Sequence, residues 1–72
     1  MPKFAQVRSR DLIKALMRSG FTIDHQTGSH VVLYRDTDRK RAVVPLHVKV
    51  IPKGTFAAIL REAGISKDEL SR

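Results

Sequence analysis

Gly28-Ser29-His30 opens a β-branched run, Val31-Val32-Leu33-Tyr34, in a cysteine-free chain with a marked cationic excess. Imidazole is the side chain whose ordinary pKa, roughly 6.5, lets it take and return a proton near neutrality. Set just past a glycine turn at a strand end, it stands where a polymer backbone can lie against it. The chain carries 14 Lys and Arg against 7 Asp and Glu, a net charge of +7, which favours a polyanionic partner, RNA above all. RNA brings its own nucleophile, the ribose 2′-hydroxyl, so neither a metal nor an activated water is required. His30 is accordingly read as the base that strips this hydroxyl or the acid that protonates the leaving 5′-oxygen, a transfer worth roughly 10²–10⁴ in rate. The bland alternative is an ordinary strand histidine. His47, beyond the third predicted strand, is the candidate second acid–base partner, and equally fits a loop residue. His25, alternating with Ile23, reads as structural or exposed.

Other chemistries find little support. The three His and seven carboxylates are scattered, with no His pair at helical spacing and no thiolate, so no metal site and no cofactor is expected. Asp36-Thr37-Asp38 reads as a hairpin turn rather than a cation loop. Gly20, Gly28, Gly54 and Gly64 are isolated punctuation, not a phosphate-cradling motif, and no serine has an identifiable paired base.

The cations, by contrast, are organised. Arg10, Lys14 and Arg18 recur at i, i+4, i+8 as one stripe of a helix; Arg39-Lys40-Arg41 closes a loop. Lys49 and Lys53 precede a second helix, whose first N–H groups can hold a phosphate between Gly54 and Thr55. Each cluster alone fits a solvated face. Three together point to a surface that holds a nucleic-acid backbone without choosing its sequence. Aromatic residues (Phe4, Phe21, Tyr34, Phe56) are too few for a base-stacking platform, and Tyr34 is the one exposed stacking candidate.

The elements that must position these groups are legible from periodicity. Ser9 suits an N-cap, Asp11 the first turn, and Leu12, Ile13, Leu16 and Met17 one helical face, ended at Gly20: a helix over about 9–19. Phe21, Ile23 and His25 alternate with polar residues, predicting a half-buried strand. After the Thr27-Gly28-Ser29 turn, 30–35 forms a second strand, and after a charged loop 41–46 forms a third, ended by Pro45. Short loops between them force an antiparallel meander. Phe56, Ile59, Leu60 and Ala63 mark the second helix, stopped by Gly64 with Ile65 folding back. Ser66-Lys67-Asp68-Glu69 is a capping box for a last short turn. The fold class is α+β, in the order α-β-β-β-α. Both amphipathic helices cover one sheet face, leaving the other open. Alternation puts His30, Val32 and Tyr34 on one side of the second strand, opposite Val31 and Leu33. With Val31 and Leu33 in the core, His30 and Tyr34 face out, and an apolar Val32 beside them hints at a face covered by a protein partner.

Residues 1–72 make a single small domain, without disulfides or tryptophan to reinforce a limited core. Residues 1–7 read as a possible flexible tail without the apolar region of a signal peptide. No stretch approaches the ~20 apolar residues of a membrane span, and neither helix suits a membrane surface. The expectation is a soluble, cytoplasmic protein.

Taken together, Gly20-Phe21, Gly28-Ser29-His30, the valine strand ending in Pro45 with His47 two residues on, Pro52-Lys53-Gly54-Thr55 and Ile59-Leu60-Arg61-Glu62-Ala63-Gly64-Ile65-Ser66 resemble the HicA family of toxins from HicAB toxin–antitoxin systems. The likeness runs from about Ser9 to Leu70. It implies a double-stranded-RNA-binding-like fold and an mRNA interferase activity, with His30 as the catalytic histidine of Gly-Ser-His. It further implies a HicB-type antitoxin partner that blocks the site, and contact with promoter DNA only through the toxin–antitoxin complex. The family often has a polar or aromatic residue directly after that histidine; Val31 stands there in this chain and offers nothing polar. The expected function is a metal-independent endoribonuclease acting on mRNA. Its rivals are a non-catalytic RNA-binding module on the same scaffold and a protein-interaction element for which RNA is incidental.

Overall fold

The computed structural model describes residues 7–71. Its elements are α1 (Ser9–Arg18), β1 (Thr22–Thr27), β2 (His30–Arg35), β3 (Lys40–Pro45), α2 (Lys53–Ala63) and a short α3 (Lys67–Leu70). The strands form one antiparallel sheet in the order β1-β2-β3, and α1 and α2 pack on one face of it. This is an α+β fold with the α-β-β-β-α order and open sheet of double-stranded-RNA-binding-like domains.

Alternation along β2 divides the molecule. Val31 and Leu33 pair with Val44 and Ala42 of β3, and all four join Leu12, Ala15 and Leu16 of α1 and Phe56, Ile59, Leu60 and Ala63 of α2 in the core. Burying one such side chain contributes about 1.5–3 kcal/mol, so this cluster dominates the stability of a small chain. His30, Val32 and Tyr34 face away from the helices. Val32, flanked by His25 and Val43 across the strands, is only 8% exposed. The apolar spot expected to await a partner is therefore covered by its own neighbours.

Both helices end by folding the chain back. The Phe21 N–H bonds the Leu16 carbonyl at 3.0 Å and the Ile65 N–H bonds the Leu60 carbonyl at 3.2 Å, and each residue is buried. Gly64 adopts φ +70°, and a Cβ there would come within 3.0 Å of the Lys40 side chain. The Ser66 hydroxyl caps α3 by accepting the Glu69 N–H at 3.2 Å.

Several local expectations are revised. Ser9 is the first residue of α1 rather than its cap, with Arg8 at the N-cap. The Ser9 hydroxyl instead donates to the Pro45 carbonyl at 2.5 Å, tying α1 to the end of β3. Helix α2 begins at Lys53, so Lys53 lies inside it rather than before it. β1 is exposed throughout. Phe21, just ahead of the strand, takes the core place, under the Arg35 guanidinium at 4.8 Å. Ile23, opposite core-facing Leu33, is 50% exposed because β1 is an edge strand, and the register shift at Asp24 then sets His25 opposite Val32 on the other face. Met17, at the margin of the α1 face, is also exposed.

Of the segment read as a tail, residues 1–6, Phe4 among them, lie outside the described residues. Val7 is buried and bridges Ile51, whose N–H bonds the Val7 carbonyl at 2.8 Å.

Candidate active site

The β1–β2 turn sets the position of His30. Gly28 takes φ +53°, a left-handed conformation that costs glycine little, and the chain reverses so that His30 pairs with Thr27 on one side and Pro45 on the other. Proline cannot extend the ladder, and β3 ends there. Leu46 makes one last bond, its N–H to the Ser29 carbonyl at 2.5 Å, and the chain leaves the sheet at His47. Ile51 is pinned by Val7, so the 47–51 connection must turn back across this end of the molecule before Pro52 opens α2.

That path brings His47 beside His30. Their ring centroids lie 5.6 Å apart with planes tilted by 58°. His30 is half-buried and His47 exposed. Val43, Pro45, Val48, Pro52 and Thr55 complete a hollow of about 390 Å³ around the two imidazoles. Two imidazoles and a threonine thus share one concavity with largely apolar walls. Immediately before Thr55, Lys53 and Gly54 form the first turn of α2, whose opening N–H groups have no acceptor within the helix. The arrangement can present a proton acceptor and a proton donor to one anionic group held against a helix N-terminus.

A second hollow, of about 420 Å³, is lined by Arg8, Ser9, Arg10, Leu46, Val48 and Lys49. Val48, packed against the core, is the wall common to both. Arg10 and Lys49, expected from the sequence, therefore adjoin the histidine pair. Arg8 was not expected: it stands one residue ahead of the helical periodicity, and only its place as the basic residue entering α1 could have marked it. Lys14 and Arg18 are exposed farther along α1, Arg18 about 12 Å from Arg10 at the helical rise.

Arg39, Lys40 and Arg41 are not brought to this end. They sit at the opposite end of the β2–β3 hairpin, Arg41 about 13 Å and Lys40 about 17 Å along the strand from His30, with Arg39 beyond them. Arg39 lines a separate hollow with Tyr34, Arg35 and Asp36. The Lys40 stem lies against Gly64, and Arg41 bonds Glu62 at 2.8 Å. Two cations at this distal end, Arg41 and Arg35, are paired with carboxylates. Glu62 first, and Tyr34 after it, hold the Arg41 guanidinium above its ordinary range. Arg35 bonds both carboxylate oxygens of Asp38, at 3.0 and 2.6 Å, and holds that carboxyl below the usual aspartate range. Arg8, Arg10, Lys49 and Lys53 have no carboxylate partner among the described residues. Four unpaired cations thus border the histidine end, while Arg39 and Lys40 at the far loop and Lys14 and Arg18 along α1 also lack a carboxylate partner among the described residues.

His25 lies on the same open face, beside Val32. Its Nδ1 meets the Asp24 carboxylate at 2.5 Å. It is exposed, one of the two possibilities its spacing left open. Among the described residues, no three His, Asp or Glu side chains converge so as to hold a metal ion, and no helix is long and apolar enough to cross a membrane.

Residues 9–65 match the family model for the HicA toxin of bacterial toxin–antitoxin systems. The matched span holds both histidines, Thr55 and the entire sheet. No curated protein matches the chain.

Proposed function

The chain belongs to the HicA toxin family, and from that premise we propose that this toxin is an mRNA interferase using His30, with His47 as its acid–base partner. Family membership makes it the toxin of a toxin–antitoxin system, with an antitoxin as its partner. The observation that carries the chemistry is the His30–His47 pair at 5.6 Å, in a hollow beside cations that no carboxylate neutralises.

In the proposed reaction, one imidazole removes the proton of a ribose 2′-hydroxyl. The 2′-oxygen forms a bond to the adjacent phosphorus as the bond from phosphorus to the 5′-oxygen breaks. The other imidazole gives a proton to the departing oxygen. The products are a 2′,3′-cyclic phosphate and a 5′-hydroxyl end, and no further reactant is consumed. Imidazole nitrogens act over roughly 2.6–3.2 Å, and the ring separation allows both to reach oxygens of one phosphodiester. In this reading Lys53, Thr55 and the first N–H groups of α2 oppose the negative charge that builds on phosphorus, where preorganised donors contribute most. Arg10 and Lys49 hold the strand at this end. Lys14, Arg18, Arg39, Lys40 and Arg41 extend a weaker, more distant field along α1 and the far hairpin loop.

The antitoxin is proposed to be of the HicB type and to cover the histidine hollow, since occluding one small concavity suffices to silence the enzyme. Promoter DNA is contacted only through that complex, and the toxin acts in the cytoplasm, where mRNA is found. The test uses an RNA cut by the protein and the same RNA with 2′-deoxyribose at the cut position. Loss of that cut in the deoxy substrate supports the mechanism. Continued cutting there rules out attack by the 2′-oxygen.

A further inference from the structure

We infer that Arg8, Arg10 and Lys49 form a subsite for a second phosphate of the RNA strand, the one adjoining the phosphate that is cut. The inference rests on the proposed ribonuclease reading and adds to it a minimum substrate: two linked phosphates rather than one.

Three observations carry it. The three side chains surround a single hollow of about 420 Å³, rather than lying dispersed over a convex surface. None has a carboxylate partner among the described residues, whereas Arg35 and Arg41 at the other end of the hairpin are both paired. Uncompensated cations converging on one concavity repel each other, and an anion relieves that repulsion. Finally, the hollow shares the wall residue Val48 with the His30–His47 hollow. A strand whose scissile phosphate lies at the histidines therefore meets the cations with its neighbouring phosphate.

The floor of this subsite is fixed from below. The buried Ser9 hydroxyl holds the Pro45 carbonyl, Leu46 is bonded to Ser29, and Val48 packs on the core. Arg8 and Arg10 on one side and Lys49 on the other are thereby held by separate segments joined at the end of β3. Two arginines can offer planar, forked donors to phosphate oxygens, and lysine adds a point charge.

The test compares two uncleavable analogues, a 2′-O-methyl trinucleotide with two phosphates and the corresponding dinucleotide with one. For the unmodified protein, the trinucleotide is expected to bind roughly ten- to a hundredfold more tightly, the size expected of charge-assisted contacts to one additional phosphate. In Arg8→Gln the ratio falls severalfold, and in the Arg8→Gln, Arg10→Gln, Lys49→Gln triple variant it approaches one, with circular dichroism confirming the fold. An unmodified protein that binds both analogues equally overturns the subsite, as does a triple variant that keeps the full ratio. Because the 2′-O-methyl group removes the nucleophile, these affinities report the subsite whether or not RNA is cut. A failure of cleavage in the deoxy comparison is thereby distinguishable from a failure of the subsite.

Discussion

The imidazole of His47, on an irregular connection, faces the imidazole of His30, at the start of a strand, across 5.6 Å. Nothing in the local periodicity of either residue requires this meeting. It follows from two fixed points: the Gly28 turn, which starts β2 at His30, and the Val7–Ile51 bridge, which draws the chain after Pro45 back over the sheet end.

The first prediction concerns that anchoring. Ser9→Ala removes the donor to the Pro45 carbonyl in a buried setting and is expected to cost about 1–3 kcal/mol of stability, read by urea unfolding. Ser9 touches neither ring but fixes the floor of the neighbouring cationic hollow, so its loss should lower kcat and raise KM for RNA cleavage through misplacement. Ser9→Thr, which keeps the hydroxyl, should restore part of the kcat. Equal stability of Ser9→Ala and the parent protein would remove the anchoring role.

A second prediction follows from the Asp38–Arg35 pair. Arg35 lowers the Asp38 pKa in the folded state, so the ionised form favours folding. That contribution is present above the unfolded aspartate value, ~3.9, and is lost as pH falls through the lower folded value. Asp38→Asn should therefore melt below the parent protein at pH 7. The difference in Tm should shrink progressively once the pH drops beneath the ordinary aspartate range. A difference that is constant from pH 7 to pH 2 would contradict the assignment.

The uneven neutralisation of charge gives a third. Lys53→Gln, at the histidine end, should weaken RNA binding about tenfold and lower its salt dependence. Arg41→Gln, whose parent side chain is already engaged by Glu62, should change binding less than threefold. Filter binding over a range of salt concentrations reads both, since removing one cation from a phosphate lowers the salt slope by roughly 0.7 on single strands. The reverse ranking would place the strand at the far hairpin end.

A fourth prediction tests the C-terminal cap of α2. Gly64→Ala forces a Cβ into a left-handed residue and against Lys40. Thermal unfolding should show a loss of about 1–2 kcal/mol. No loss would mean that the cap relaxes freely.

Much of this architecture was readable in the residues. The i, i+3, i+4, i+7 spacing of Phe56, Ile59, Leu60 and Ala63 matches the buried side of α2, and the strict alternation of β2 separates Val31 and Leu33 from His30. What escaped reading depends on register and on chain path. Ile23 and His25 fit one face of a half-buried strand until the extra residue at Asp24 turns His25 to the other face and the edge position leaves Ile23 exposed, and an insertion of that kind leaves no mark in hydrophobic alternation. Ser9 has the chemistry of a helix cap, and a partner as distant in sequence as Pro45 cannot be inferred from local propensity. The basic clusters were visible as clusters. Their division between the two ends of the hairpin, and the pairing of Arg41 with Glu62, are tertiary facts.

The central claim is that His30 transfers a proton during RNA cleavage, and comparing the parent protein with His30→Ala on one RNA in excess EDTA tests it most directly. The account predicts that the parent protein cuts the RNA, leaving 2′,3′-cyclic phosphate ends, and that His30→Ala, folded by circular dichroism, is slower by roughly 10²–10⁴. Cleavage by His30→Ala at the parent rate would contradict it.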